Sequence, residues 1–342
     1  MAPPGEALMF FCSYPTRFYS LDAPSVPLTG PQAAALERFR TGMNEGLYAL
    51  EPAPCICGSE DGVLLARRDR YGLEVDTYLC RHCGVLRTSP RLSPESLSRF
   101  YDSDYREIYG GEETASDAFF AEQIAHGRSI LDSVLHNIAG DLAGAVVFDV
   151  GCGAGGVLIP FRESGCLVYG CDHGGRYLEY GRSQGLRLEH GGAAELKQHG
   201  KAKVVILSHV LEHFPDPRAE LALLSSLLED DGYLYIELPG VFNIHNVYRD
   251  FLLYLQNAHL YHFTLSTLSS LLADAGFQLV FGYENVVALF KKGSGRPVQV
   301  GKREYAKVLC YLYSVELSRL AIFRKLPQLV ARIIGWTYKR AW

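Results

Sequence analysis

The residues best suited to chemistry fall into three groups. Two close cysteine pairs, Cys55-Ile56-Cys57-Gly58 and Cys80-Arg81-His82-Cys83-Gly84, stand 22 residues apart. Four thiolates so spaced can enclose one tetrahedral zinc ion, and the glycine ending each pair permits a tight turn with its amides toward sulfur. With Cys55, Cys57, Cys80 and Cys83 filling all four positions, the ion is expected to be structural and closed. Histidines form the second group: His209 and His213 flank Glu212, and His259 and His262 follow in Asn257-Ala258-His259-Leu260-Tyr261-His262-Phe263. An imidazole can take a proton near neutral pH. The two pairs could also hold a metal, a use that no carboxylate spacing supports.

The third group is a glycine-rich turn. Val146-Val147-Phe148-Asp149-Val150-Gly151-Cys152-Gly153-Ala154-Gly155-Gly156 reads as a buried strand, a turn and the start of a helix. Glycine lets the backbone turn sharply and approach a ligand, and the helix start offers unpaired N–H groups. Asp172 stands 21 residues beyond Gly151 at the end of the next strand, where a carboxylate can accept both hydroxyls of a ribose. Together these features predict a nucleoside-containing cofactor.

Such residues must be positioned by elements, and the sequence shows which. From Ala145 short apolar runs (AVVFDVG, CLVYGCD, LRLEHG, KVVILSH, GYLYIELPG, FQLVFGYE, NVVALFKK) alternate with helical stretches. Apolar strands separated by helices predict a doubly wound, mostly parallel α/β sheet covered on both faces. The expected organisation is an irregular segment 1–50, a four-cysteine zinc-binding module 51–95, a helical linker or lid 96–139, the α/β domain 140–292 and a helical tail 293–342. In the linker, Leu97, Phe100 and Tyr101, then Phe119, Ile124, Ile130, Leu131, Val134 and Leu135, carry helical spacing.

At 342 residues and 48% hydrophobic content the chain is long enough for a core without disulfides. No apolar run could span a bilayer. The opening MAPPGEALMFFCSYPTRF lacks a basic segment followed by an apolar one, so a cytoplasmic setting is expected. The net charge of −5 divides into +7 for residues 301–342 and −12 for residues 1–300. An acidic body argues against nucleic acid as a partner. The tail mixes Lys302, Arg303, Lys307, Arg319, Arg324, Lys325, Arg332, Lys339 and Arg340 with Tyr311, Phe323, Ile333, Trp336 and Trp342. That mixture suits peripheral contact with the inner face of a membrane through residues 302–342, or packing within the chain or a homodimer.

The GxGxG turn directly after Asp149-Val150 resembles motif I of the class I S-adenosylmethionine-dependent methyltransferases. Lys203 to Pro217 is similar to the fourth-strand segment of that family, and Glu229-Asp230-Asp231-Gly232 to its turn into strand five. The resemblance covers roughly residues 140–292 and implies a seven-stranded Rossmann-like methyltransferase sheet. It implies further that Asp149, Gly151, Cys152 and Gly153 line the methionine and ribose end of S-adenosylmethionine, and that Asp172 holds the ribose hydroxyls. His173 and Ala194 would flank the adenine, and Ser208 and His209 would lie below the sulfonium.

A four-cysteine module ahead of this core, with Glu237-Leu238-Pro239 and the His259 segment, resembles the sugar C-methyltransferases of deoxysugar biosynthesis and related surface-glycan enzymes. By that resemblance His259 is the base, Glu237 orients it or the acceptor, and Tyr105 or Tyr109 is a lid contact; His213 is the other candidate base. The expected function is methyl transfer to oxygen or carbon of a sugar or glycan-type acceptor by in-line displacement. A zinc-finger RNA methyltransferase and a nucleotide-sugar oxidoreductase using a nicotinamide cofactor are the alternatives.

Overall fold

The computed structural model describes residues 16–19, 24–109, 114–138, 140–293 and 300–335. Its central sheet has seven strands: β1 (Val146–Val150), β2 (Leu167–Asp172), β3 (Arg187–His190), β4 (Ala202–Ser208), β5 (Leu228–Glu237), β6 (Phe277–Tyr283) and β7 (Val287–Lys292). They lie in the order β6-β7-β5-β4-β1-β2-β3. β1 to β5 pair in parallel, whereas β7 is antiparallel to both β5 and β6. This is the seven-stranded Rossmann-like sheet that the resemblance implies. The sequence reason is plain in β4, where Val204, Val205, Ile206 and Leu207 are all fully buried because helices cover both faces. Strand order reverses between β1 and β4, so their carboxyl ends open a crevice at the sheet's switch point.

Among the described residues four α-helices precede the sheet: α1 (Gly30–Asn44), α2 (Pro94–Ser103), α3 (Tyr105–Tyr109) and α4 (Asp117–Asn137). Ser93 and Ser116 cap α2 and α4 through their side chains, and a proline opens α2. α4 buries Phe120, Ile130, Leu131 and Val134, much of the expected apolar stripe. Gly127 lets it press on the Gly-rich turn's exit, since a Cβ there would come within 2.4 Å of the Val157 carbonyl oxygen.

The cysteine region folds as antiparallel strands Gly62–Arg68, Glu74–Cys80 and Leu86–Thr88. Expected as a small module of its own, it instead takes a fourth strand from far along the chain: Tyr261–His262 pairs with Arg87 and Leu86. Thr88 also donates from Oγ1 to the His259 carbonyl at 3.1 Å. For the tail, packing within the chain was one of the expected uses. Its first helix, Lys302–Leu317, packs inward, burying Val308, Tyr311, Leu312 and Val315. It crosses the Cys83-Gly84 turn so closely that a Cβ on Gly84 would lie 2.8 Å from the Tyr305 nitrogen. Beyond it apolar side chains face outward, with Ile322, Leu329 and Ile333 exposed. The expected Trp336, Lys339, Arg340 and Trp342 lie outside the described residues. Among the described residues no helix is long and apolar enough to cross a membrane.

Candidate active site and cysteine cluster

A cavity of about 840 Å³ occupies the crevice at the carboxyl ends of β1, β2 and β4. Asp149, Gly151, Cys152, Gly153, Asp172, His173, Ala194, Ser208, His209 and His213 all line it. Gly151 has φ +73°, and a Cβ there would meet Val210 Cγ2 at 2.5 Å, so the turn and the segment after β4 can only close together over glycine. Asp172 anchors the other side. Its Oδ2 accepts from the Gly153 amide at 2.9 Å, while Oδ1 accepts from the Gly174 amide at 2.6 Å and from Arg106 at 2.9 Å. Arg106 comes from α3 and lies over the Tyr177 ring, 4.1 Å from its centroid. Asp149 beneath the turn is buried, and burial, helped by Asp172, pushes its carboxyl well above the usual range.

The opposite wall holds the imidazoles. Ser208 and Glu237 are register partners at the ends of β4 and β5. His126 of α4 reaches across to them, its Nε2 2.9 Å from Glu237 Oε2 and 3.3 Å from Ser208 Oγ. Burial pushes the Glu237 carboxyl up, but His126, His209 and Ser208 more than offset that and the net shift is downward. His209 sits at φ +57°, a conformation few residues other than glycine adopt, and its side chain is 55% exposed.

His213 is set deeper. Its Nδ1 is 2.8 Å from the Ala258 carbonyl and 2.9 Å from the Tyr101 hydroxyl. A carbonyl only accepts, so Nδ1 carries the proton and Nε2 keeps its lone pair. His259 lies one layer further back, 4% exposed, its ring 4.9 Å from that of His213, and it does not line the cavity. Burial drives the pKa of His213 down and that of His259 well down, which favours the neutral imidazole at both. The expected lid tyrosines pack in the same region: Tyr105 lines the cavity, and the Tyr109 hydroxyl accepts from the Ala258 amide at 3.3 Å.

His126, Gln123, Phe119 and Arg106 also line the cavity, and none of them stands out in the sequence as a site residue. Gln123 donates to the Cys152 carbonyl at 3.0 Å and accepts from the Gly156 amide at 3.2 Å, tying α4 to the Gly-rich turn. Gln123 and His126 fall at i+4 and i+7 from Phe119, so polar residues continuing one edge of the apolar stripe were the available signal.

The four cysteines converge as their spacing predicts. Cys55 and Cys83 Sγ are 3.4 Å apart, Cys57 and Cys80 Sγ 3.6 Å, and all four lie within 4.8 Å of one another. Tetrahedral zinc–sulfur bonds of about 2.3 Å place sulfurs about 3.8 Å apart, so the donor set fits that ion.

Residues 121–280 match the family model of a methyltransferase domain. The C-methyltransferase NovU of Streptomyces niveus is 26% identical over 249 residues, covering 66% of this chain and 56% of that protein. The ubiquinone biosynthesis O-methyltransferase of Bordetella avium (strain 197N) is 30% identical over 111 residues, 30% of this chain and 45% of that one. The chain thus spans about half the length of these curated relatives. Among solved structures, magnesium protoporphyrin IX methyltransferase from Synechocystis PCC 6803 with bound SAH aligns with a TM-score of 0.42 and 20% identity, over 59% of this chain and 100% of that one. Residues 121–280 are thus similar to a methyltransferase domain.

Proposed function

We propose that this methyltransferase domain binds S-adenosylmethionine in the 840 Å³ cavity and passes its methyl group to carbon or oxygen of a sugar or glycan-type acceptor. The observation that carries the reading is the convergence in one cavity of the Gly151–Gly153 turn and Asp172 with the Ser208–His213 wall. Asp172 would receive the ribose hydroxyls, which then share its carboxylate with Arg106 or displace it, and His173 and Ala194 would flank the adenine. Methyl transfer from a sulfonium is an in-line displacement, so the domain must align donor and acceptor, and the acceptor must lose a proton. His209 lines the cavity with a half-exposed side chain and is the proposed base, with His213 behind it; buried His259 supports His213. Glu237 and His126 hold the wall beside them.

Similarity to a C-methyltransferase over two thirds of the chain supports a carbon acceptor. A carbon loses a proton readily only beside a carbonyl, so keto-sugars are the substrates to try. Incubation with S-adenosylmethionine labelled in its methyl group and a panel of nucleotide-linked keto-sugars and glycans should label a sugar; label released only as methanol, with no acceptor from either set, counts against the reading. The cysteine cluster is proposed to hold one structural zinc ion. Ile322, Leu329 and Ile333 with Arg324 and Lys325 are proposed to touch anionic membrane, and failure to float with phosphatidylglycerol vesicles would dismiss that contact.

A further inference from the structure

Glu212 stands between the two histidines of the segment after β4, where a surface carboxylate would be ordinary. Instead it is 1% exposed, and neither carboxylate oxygen has a hydrogen-bond partner. An unpaired buried carboxylate is costly, so what surrounds it matters. Three imidazole nitrogens face Oε1: His209 Nδ1 at 3.7 Å, His259 Nε2 at 3.8 Å and His213 Nε2 at 3.9 Å. These distances are too long for hydrogen bonds. They are within a few tenths of an ångström of the separation, about 3.5 Å, between donors that share one cation at about 2.1 Å. Donor atoms of Glu212, His213 and His259 lie within 4.8 Å of one another.

We propose that Glu212, His213 and His259 bind a divalent cation of the zinc class, with His209 on its cavity side. The donor set, two imidazole nitrogens and one carboxylate oxygen, is of a kind that leaves coordination open for a further ligand. The His213 ring is already oriented for ligation, because its Nδ1–H is committed to the Ala258 carbonyl, which fixes the tautomer and turns Nε2 toward Glu212. For His259, the Gln256 amide nitrogen lies against the ring, 3.1 Å from Nδ1 and in contact with Nε2, while Arg70 holds the Gln256 carbonyl at 2.8 Å. That amide is the group an arriving cation moves off Nε2. The Leu260 amide donates to the Glu212 carbonyl at 2.9 Å, joining the two ligand-bearing segments.

Because His213 and His209 line the cavity, the open coordination faces the acceptor. The ligand the ion would take is an acceptor oxygen, either a hydroxyl, which would become more acidic there, or a keto oxygen, whose neighbouring C–H would lose its proton more readily. This role rests on the methyltransferase reading; the ion site itself does not.

The test separates this site from the cysteine cluster by spectroscopy. The full chain, with zinc already filling the thiolates, is titrated with Co²⁺. The expected result is about one additional ion per chain, with the absorption of nitrogen- and oxygen-ligated cobalt and no sulfur-to-metal charge-transfer band. Glu212→Gln, which keeps the shape and removes the charge, and His259→Ala should each weaken this binding tenfold or more. No second ion in the wild-type chain, or binding unchanged in both variants, overturns the proposal. S-adenosylmethionine affinity is measured on the same samples by calorimetry. A chain that binds cofactor but no second ion loses only this site, and one that binds the ion but no cofactor loses the methyltransferase reading.

Discussion

Asp172 holds more than it would offer to a cofactor. Its two oxygens fix the Gly153 and Gly174 amides, so Asp172→Ala removes the proposed ribose acceptor and loosens the turn at once. Charge-assisted hydrogen bonds contribute about 1.5–3 kcal/mol each. Calorimetry should therefore find S-adenosylmethionine affinity reduced at least about tenfold, and an unchanged affinity would remove ribose from that carboxylate. His209→Gln is expected to behave differently, lowering kcat by roughly 10²–10⁴ while cofactor affinity stays, because a base acts on the acceptor. Full turnover in that variant would pass the role to His213. At this scale the convergence of the Gly-rich turn with Asp172 was legible in the sequence, because strand, turn and acid are local and regularly spaced. Glu212 was not. A glutamate between two histidines reads as a surface position, and only the return of residues 256–262 over it creates its burial.

Helix α4 shows how an element can be read correctly and still withhold its use. Its apolar stripe predicted a packed helix, and Phe120, Ile130 and Val134 are indeed buried. The pairing of His126 with Glu237 joins α4 to β5 over a stretch no periodicity spans. It has a consequence in acid. Since His126 helps to hold the Glu237 carboxyl below its ordinary value, the stability from that pair is present above the unfolded carboxylate range and is lost as pH falls through the lowered pKa. In His126→Ala the Glu237 carboxyl should titrate higher by NMR, and acid unfolding should begin at a higher pH. Identical acid transitions in the two proteins would show that the contact carries no such energy. The central strands β1, β2 and β4 were legible for a simpler reason: each is a mostly apolar run buried on both faces.

On the scale of the whole molecule, the cysteine sheet is bound into the catalytic half. Zinc should be present at about one ion per chain from this cluster, and its removal should unfold the strands around it. The chain's modular appearance in sequence suggests that Cys80→Ser would stop there. The structure extends the damage, since Tyr261–His262 completes that sheet and the tail helix rests on Gly84. Cys80→Ser is therefore expected to keep S-adenosylmethionine affinity near wild type while losing methyl transfer to acceptor. Loss of both together, or of neither, would argue against this division.

The strand at Tyr261–His262 also orders events in time. Its partners in the cysteine sheet are far away in sequence, Thr88 and His259 being 171 positions apart. Closing so long a loop costs entropy that is recovered only once both ends are structured. The α/β sheet and the cysteine strands can each nucleate on nearer contacts, but the wall bearing His213 and His259 is complete only when the two meet. Refolding should thus yield a species that captures the methyl donor before it can use it, and in the native state the amides of residues 259–262 should exchange with solvent sooner than those of β4.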